Sequence, residues 1–183
     1  MAMKSLSEMT LEELWHLFPI RLVEYRPEWV AQYEEERGVL SGLLAGRKIV
    51  AINHIGSTAV GGIWAKPIVD ILIEIDRGEV MKDVADVLVR NGYLCMNRSD
   101  NRISLNKGYT ERGYAERVFH IHLRYDGDND EIFFRDFLIS HPEDAKRYEE
   151  LKLSLWKQYE FDRDGYTEAK SEFVGEIMGR RGR

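Results

Sequence analysis

Apolar residues recur along this chain with two spacings, one typical of amphipathic helices and one typical of β-strands. The helical spacing predicts helices over residues 29–44 and 81–89, and from residue 131 onward. Alternation and short apolar runs predict strands over residues 20–25, 48–55, 68–75, 92–96, 103–105 and 118–124. Together these elements predict a mixed β-sheet backed by helices, an α+β (α/β) fold that ends in C-terminal helices.

The chain is expected to form one domain, over residues 1–183. Its 183 residues, 44% of them apolar and 32% charged, are typical of a folded globular protein with a single core. Residues 1–19 are predicted to be a helical extension, because Thr10 and Glu13 match a capping box within a helix predicted over residues 7–17. Residues 130–183 are predicted to supply the C-terminal helices.

The net charge indicates which class of partner to expect, and the cysteine content and apolar segments indicate the location. The net charge of −6 argues against broad electrostatic binding of nucleic acid, whereas a small anionic ligand in a local basic cleft remains compatible with it. Cys95 is the lone cysteine, and the chain contains neither a signal-like apolar segment near Met1 nor an apolar run of membrane-spanning length. We therefore expect a cytoplasmic protein that does not enter a membrane.

A Gly-Ser turn follows the strand predicted over residues 48–55. Gly56, Ser57 and Thr58 would bring backbone N–H groups and hydroxyl donors toward phosphate oxygens. The alternative is that they only form a tight turn. Lys66 is a further candidate for phosphate binding, although Pro67 stands where a Walker P-loop has Ser or Thr.

Asp70 is an acidic residue inside an apolar strand. A carboxylate there needs a partner or a metal ion, so Asp70 is a candidate catalytic and metal-binding residue, or else a hydrogen-bond acceptor for the Gly-Ser turn. Nucleotidyltransferases usually carry a second acid two residues later, and that position is Leu72 here. Glu74 shares the strand face but lies about 13 Å from Asp70, too far for a shared two-metal centre.

Two histidines flank Ile121 on the strand predicted over residues 118–124. His120 and His122 project from the same strand face, and with Asp70 they would form a two-histidine, one-carboxylate metal site. The alternatives are a solvated histidine pair, phosphate binding or an acid-base pair.

Two cationic side chains complete the candidate site. Arg124 shares the strand face of the two histidines, so it could contact phosphate groups. Lys170 could reach a phosphate from the C-terminal helices, or lie along the edge of the core with its ammonium group in water.

The combined motifs resemble those of the GrpB family, which has a nucleotidyltransferase-like fold. The resemblance covers most of the chain: residues 20–29, His54-Ile55-Gly56-Ser57-Thr58-Ala59-Val60, Lys66-Pro67-Ile68-Val69-Asp70-Ile71, His120-Ile121-His122, Arg135-Asp136-Phe137-Leu138 with His141-Pro142, and residues 166–170. It implies a mixed sheet with the Gly-Ser turn and Asp70 at its ligand end. Family members fused to dephospho-CoA kinase imply a link to nucleotide or coenzyme metabolism.

These observations lead to an expected function. The protein is predicted to be a metal-assisted nucleotidyltransferase or nucleotide-binding enzyme that acts on a small molecule, using Mg, Mn or Zn and a nucleoside triphosphate. Gly56 and Ser57 would hold phosphates, and Arg124 and Lys170 would stabilise developing charge. The alternatives are a non-catalytic sensor of a nucleotide or phosphometabolite, and a metal-dependent hydrolase that uses Asp70 with the two histidines.

Overall fold

The computed structural model describes residues 4–182 of the chain. The helices are α1 (Leu11–Leu17), α2 (Glu28–Leu43), α3 (Met81–Arg90), α4 (Asp130–Ser140), α5 (Pro142–Trp156), α6 (Arg163–Glu168) and α7 (Ser171–Met178). The strands are β1 (Ile49–Ile55), β2 (Val69–Ile75), β3 (Leu94–Arg98), β4 (Arg102–Thr110) and β5 (Gly113–Tyr125). Within residues 4–182, no helix is both long enough and apolar enough to span a bilayer.

All five strands form one mixed sheet in the order β1-β2-β5-β4-β3. Strand β2 pairs with β1 in antiparallel and with β5 in parallel orientation, and the remaining pairs are antiparallel. This arrangement confirms the predicted mixed sheet. The parallel register places Asp70 opposite His120, and Leu72 opposite His122.

The two faces of the sheet differ in character because side chains alternate along each strand. One face carries Ile71, Ile73, Ile121 and Leu123, which pack against α2 and α3 in the main apolar core. The other face carries the polar side chains of β2 and β5. A second apolar cluster joins α4, α5 and α7 to the loop after β1, and so holds the C-terminal helices in place.

The segment over residues 20–25 is not a strand of the sheet, so that prediction is wrong. Ile20 and Leu22 are buried, as their alternation suggested, but the backbone finds other partners. Val23 forms an isolated bridge with Ala65, and the Ile20 N–H donates to the Glu160 carbonyl at 2.8 Å. The segment therefore connects the loop before β2 to the C-terminal part of the chain.

Three other predicted elements have different bounds in the structure. The predicted helix over residues 7–17 is interrupted, because Thr10 is extended and caps α1 through the expected capping box with Glu13; a short 3-10 turn precedes it. The segments predicted over residues 103–105 and 118–124 belong to the much longer hairpin of β4 and β5.

Gly108 interrupts the apolar pattern of β4 for a steric reason. Its φ is +90°, and a Cβ at this position would lie 2.2 Å from the Arg117 carbonyl oxygen on β5. The local register shifts here, between Lys107 and Tyr109. The close approach of the two strands therefore requires a glycine at this position.

We expect Gly108→Ala to destabilise the protein more than Gly92→Ala. Gly92 has the same φ of +90°, but a Cβ there would meet nothing within 4 Å, so alanine costs only backbone strain of about 1–2 kcal/mol. At Gly108 the clash with β5 should add about 1–3 kcal/mol. Urea unfolding of both variants measures the difference, and equal losses would contradict this account of the hairpin.

Candidate functional site

A cleft of about 540 Å³ lies between the polar side of the sheet and the C-terminal helices. The end of β1 and the Gly-Ser turn form one wall, and α4, α5, α6 and α7 contribute side chains to the other. Its volume falls within the range of small-molecule sites. The lining includes the predicted site residues Gly56, Ser57, Thr58, Lys66, Asp70, His122 and Lys170.

Gly56 lets the Gly-Ser turn approach the carboxylate of Asp70. Its φ is +72°, and a Cβ there would lie 2.7 Å from Asp70 Oδ2, closer than side-chain atoms normally come. Ser57–Ala59 then form a 3-10 turn, in which Thr58 is buried and its Oγ1 lies 3.0 Å from His54 Nε2. The turn and Asp70 are thus packed directly against each other.

Asp70 lies between the two predicted histidines. Its Oδ1 is 3.3 Å from His120 Nδ1 and 3.2 Å from His122 Nε2. Burial by itself would raise the pKa of Asp70, but hydrogen bonds from His120 and His122 and their charge outweigh it and hold this pKa well below its usual value. The three side chains that the sequence predicts as metal ligands are therefore brought together.

His120 is connected to a second layer of polar groups. Its Nε2 lies 2.8 Å from the Tyr109 hydroxyl, which accepts a 3.0 Å hydrogen bond from Arg163. Partners of this kind orient histidines that bind metal ions. Burial lowers the pKa of His120 and outweighs the opposing effect of Asp70. This environment therefore favours an uncharged His120 ring.

The separation of these donors fits a metal ion. Asp70 Oδ1, His120 Nδ1 and His122 Nε2 all lie within 4.8 Å of one another. Ligand bonds of about 2.0–2.2 Å place two donors on one tetrahedral ion about 3.3–3.5 Å apart. The two nitrogen–oxygen distances are close to that spacing, so the residues present fit one divalent ion.

Three lysines converge on the same cleft from different parts of the chain: Lys66 before β2, Lys152 on α5 and Lys170 before α7. Burial, together with the charges of Arg163 and Lys170, lowers the pKa of Lys66 to about 7. Burial also lowers the pKa of Lys170 to about 8. None of the three lysines forms a salt bridge with a carboxylate of residues 4–182, and Asp70 pairs instead with histidines.

Lys152 was not identified from the sequence. It is 3% exposed, and its ammonium group donates to Ser57 Oγ at 3.0 Å and to the Trp64 carbonyl. In the sequence it lies within a charged helix, where a lysine is typical of a solvated face. The available signal was helical spacing, because Lys152 is four residues after Tyr148 and shares its inward-facing side.

The ring of Tyr166 lies close to two of these lysines. The ammonium nitrogens of Lys66 and Lys170 lie 5.7 and 4.4 Å from the centre of its ring. The Tyr166 side chain is buried and lines the cleft, and its hydroxyl has no hydrogen-bond partner among the described residues. Contact with the face of an aromatic ring stabilises each ammonium group only partly.

Arg124, predicted to contact phosphate, does not line the cleft. It is 6% exposed and faces Glu131 at 3.6 Å and Asp128 at 4.0 Å. The strand face was correctly inferred, but Asp128 in the turn after β5 and Glu131 at the start of α4 hold the guanidinium in a structural cluster. Arg135 lines the cleft instead and donates to the His54 carbonyl at 2.7 Å.

The structure also accounts for Leu72 and Glu74, the two positions after Asp70 on the same strand face. Leu72 is completely buried. Glu74 is buried and accepts hydrogen bonds from Asn129 at 2.9 Å and from Asn53 at 3.4 Å. Neither residue supplies a second carboxylate beside Asp70.

Comparison with known proteins identifies relatives of the chain. The family model described as GrpB protein matches residues 19–180. The UPF0157 protein YqkA of Bacillus subtilis is 34% identical over 170 residues, which are 90% of this chain and 48% of that protein. The chain therefore spans about half the length of that curated relative.

Solved structures include a similar fold. The crystal structure of GrpB from Enterococcus faecalis has a TM-score of 0.72 and 30% identity, covering 87% of this chain and 95% of that one. Cid1 poly(U) polymerase bound to MgGTP has a TM-score of 0.47 and 14% identity, over 78% of this chain and 44% of that one. The second likeness is too distant to assign an activity.

The buried histidine beside the Gly-Ser turn predicts a pH effect on stability. His54 stacks on Tyr33 at 4.8 Å, and burial lowers its pKa from 6.5 to about 4. Between these values the unfolded chain binds a proton that the folded protein does not, so stability decreases as the pH falls. This histidine should contribute a loss of about 2 kcal/mol between pH 7 and pH 5.

Urea unfolding of the wild type and His54→Gln at both pH values tests this expectation. Glutamine retains a polar group that can bond to Thr58 but does not titrate. The variant should therefore lose less stability on acidification than the wild type. An identical loss in both proteins would show that folding leaves the pKa of His54 unchanged.

Proposed function

Because this chain belongs to the GrpB family and its cleft gathers three lysines beside Asp70, we propose that it binds a phosphorylated small molecule there. The proposed activity is metal-assisted transfer or cleavage at phosphorus, and a nucleotide is a class of ligand that the cleft volume can accommodate. Lys66, Lys152, Lys170 and the Gly-Ser turn would bind the phosphate groups.

The clustering of three lysines that lack a carboxylate partner within residues 4–182 is the observation that carries this proposal. Three partly or fully buried ammonium groups repel one another and lose hydration, which opposes folding. A phosphate group carries the multiple charge and the several acceptor oxygens needed to compensate all three. The arrangement is therefore consistent with a binding site whose ligand relieves the repulsion among the three ammonium groups.

The metal would be held by Asp70, His120 and His122. A divalent ion bound to these donors supplies positive charge beside the phosphate and polarises its oxygens. Leu72 and Glu74 leave Asp70 without a second carboxylate, so the proposal involves one ion rather than a two-metal centre. Lys170 would stabilise negative charge that develops on the ligand during the reaction.

We expect Lys170→Met to separate binding from stability. At pH 7 this lysine is less easily charged in the folded protein than in the unfolded chain, so its ammonium group destabilises the fold. The variant should raise the free energy of unfolding by about 1–3 kcal/mol. It should also weaken binding of pyrophosphate and ATP about tenfold or more, since a charge-assisted contact is lost.

Thermal shift and calorimetry with these two probes provide the measurement. The matched control is Lys157→Met, which removes an exposed lysine next to the end of α5 and should bind both probes like the wild type. A wild-type protein that is stabilised by neither probe would refute the phosphate site. Equal weakening by both variants would indicate only a general effect of net charge.

A second prediction concerns the metal ion. Wild-type protein should bind one equivalent of Zn²⁺ or Mn²⁺ in calorimetry, and His122→Ala should weaken this binding because one of three donors is removed. His16→Ala, which changes an exposed histidine on α1, is the control. Unchanged affinity in His122→Ala would place the ion elsewhere.

Comparison of the wild type with Asp70→Asn distinguishes an enzyme from a sensor. An enzyme should release phosphate or pyrophosphate from ATP in a metal-dependent reaction that Asp70→Asn abolishes while ATP binding persists. Binding of ATP with no release under any metal would support the sensor.

A further inference from the structure

Ser57 and Lys152 form a close pair in the wall of the cleft. The Nζ of Lys152 lies 3.0 Å from Ser57 Oγ, although the two residues are 95 positions apart in the sequence. Ser57 and Lys152 both line the cleft, and Lys152 is 3% exposed. This distance is within the range over which a base can accept a hydroxyl proton.

A third group orients the lysine. Lys152 also donates to the Trp64 carbonyl, and the Trp64 N–H donates to Glu149 at 2.8 Å, one turn earlier on α5. The loop before β2 is therefore fixed to the helix that carries Lys152. A nucleophile, a base and a group that holds the base are the three parts expected of an activated hydroxyl.

We propose that Ser57 is a nucleophile and Lys152 its general base, so that a phosphoryl group is carried transiently on Ser57. This inference deepens the proposed function and rests on it, because it names the atom that attacks the bound phosphate. Near pH 7 Lys152 exists in both charged and neutral forms, so the charged form can bind phosphate and the neutral form can act as the base.

The surroundings of Lys152 favour a neutral amine. Burial, with a smaller contribution from the charges of Lys170 and Lys66, lowers its pKa to about 7 against the opposing effect of Glu149. The Tyr148 ring lies 4.8 Å from the ammonium nitrogen. A neutral amine donates one N–H to the Trp64 carbonyl while its lone pair accepts the Ser57 proton.

The chemistry is balanced in two steps. In the first, Ser57 Oγ forms a bond to phosphorus, the bond to the leaving oxygen breaks with its electron pair, and the Ser57 proton moves to Lys152 and then to that oxygen. In the second, water forms a bond to phosphorus and gives a proton to Lys152, the Oγ–P bond breaks, and Lys152 returns a proton to Ser57 Oγ.

An alkyl fluorophosphonate tests the pair without knowledge of the substrate. Ser57 Oγ should form a bond to its phosphorus as fluoride leaves, and peptide mass spectrometry should locate one adduct on Ser57. The labelling rate should increase with pH between about 6 and 8, as the base loses its proton. Absence of an adduct on Ser57, or a rate independent of pH, would overturn the proposal.

Variants of Lys152 distinguish a role as general base from a role as a positive charge. Lys152→Arg keeps the positive charge but does not deprotonate at these pH values, so labelling should slow about a hundredfold or more. Lys152→Met should slow it similarly, which guards against poor packing of arginine. Lys157→Met, for the lysine near the end of the same helix, and Ser154→Ala, for an exposed serine, should label at the wild-type rate. An unchanged rate in Lys152→Arg would overturn the assignment.

Pyrophosphate binding, measured in parallel, distinguishes this inference from the function on which it rests. Binding without labelling would overturn the nucleophile and leave the phosphate site intact. Labelling of Ser57 without pyrophosphate binding would support the activated serine and refute the proposed phosphate site.

Discussion

The parallel pairing of β2 with β5 is the constraint on which the candidate site depends. It places Asp70 opposite His120, and the strand period then puts His122 on the same face. A register shift of one residue would turn both histidines toward the apolar core formed with α2 and α3. The buried isoleucines and leucines of the opposite face therefore fix the geometry of the polar face.

The sequence predicted the elements that obey a simple period. Helices α2 and α3, strands β1 and β2 and the mixed sheet could be inferred from apolar spacing, and the Asp70, His120 and His122 cluster followed from strand alternation. Residues 20–25 show why the rest could not. Their alternation correctly indicated burial, but which backbone groups they pair with depends on the loop before β2 and the C-terminal segment.

Charged side chains were the least predictable part of the site. From the sequence, Arg124 is expected to contact a ligand and Lys152 is expected to face solvent. In the structure neither expectation holds. Arg124 faces Asp128 in the turn before α4 and Glu131 at the start of α4, whereas Lys152 is buried against Ser57. Contacts between distant segments determine each outcome, and such contacts leave no local periodic signal.

The cleft takes its three lysines from points spread over more than half of the chain. Lys66 precedes β2, but Lys152 on α5 and Lys170 just before α7 follow the whole sheet. During synthesis on the ribosome, every strand of the sheet therefore emerges before Lys152 and Lys170. Mutual repulsion among the lysines therefore arises only when the C-terminal helices dock on the completed sheet, and this docking brings their charges together at a cost in free energy.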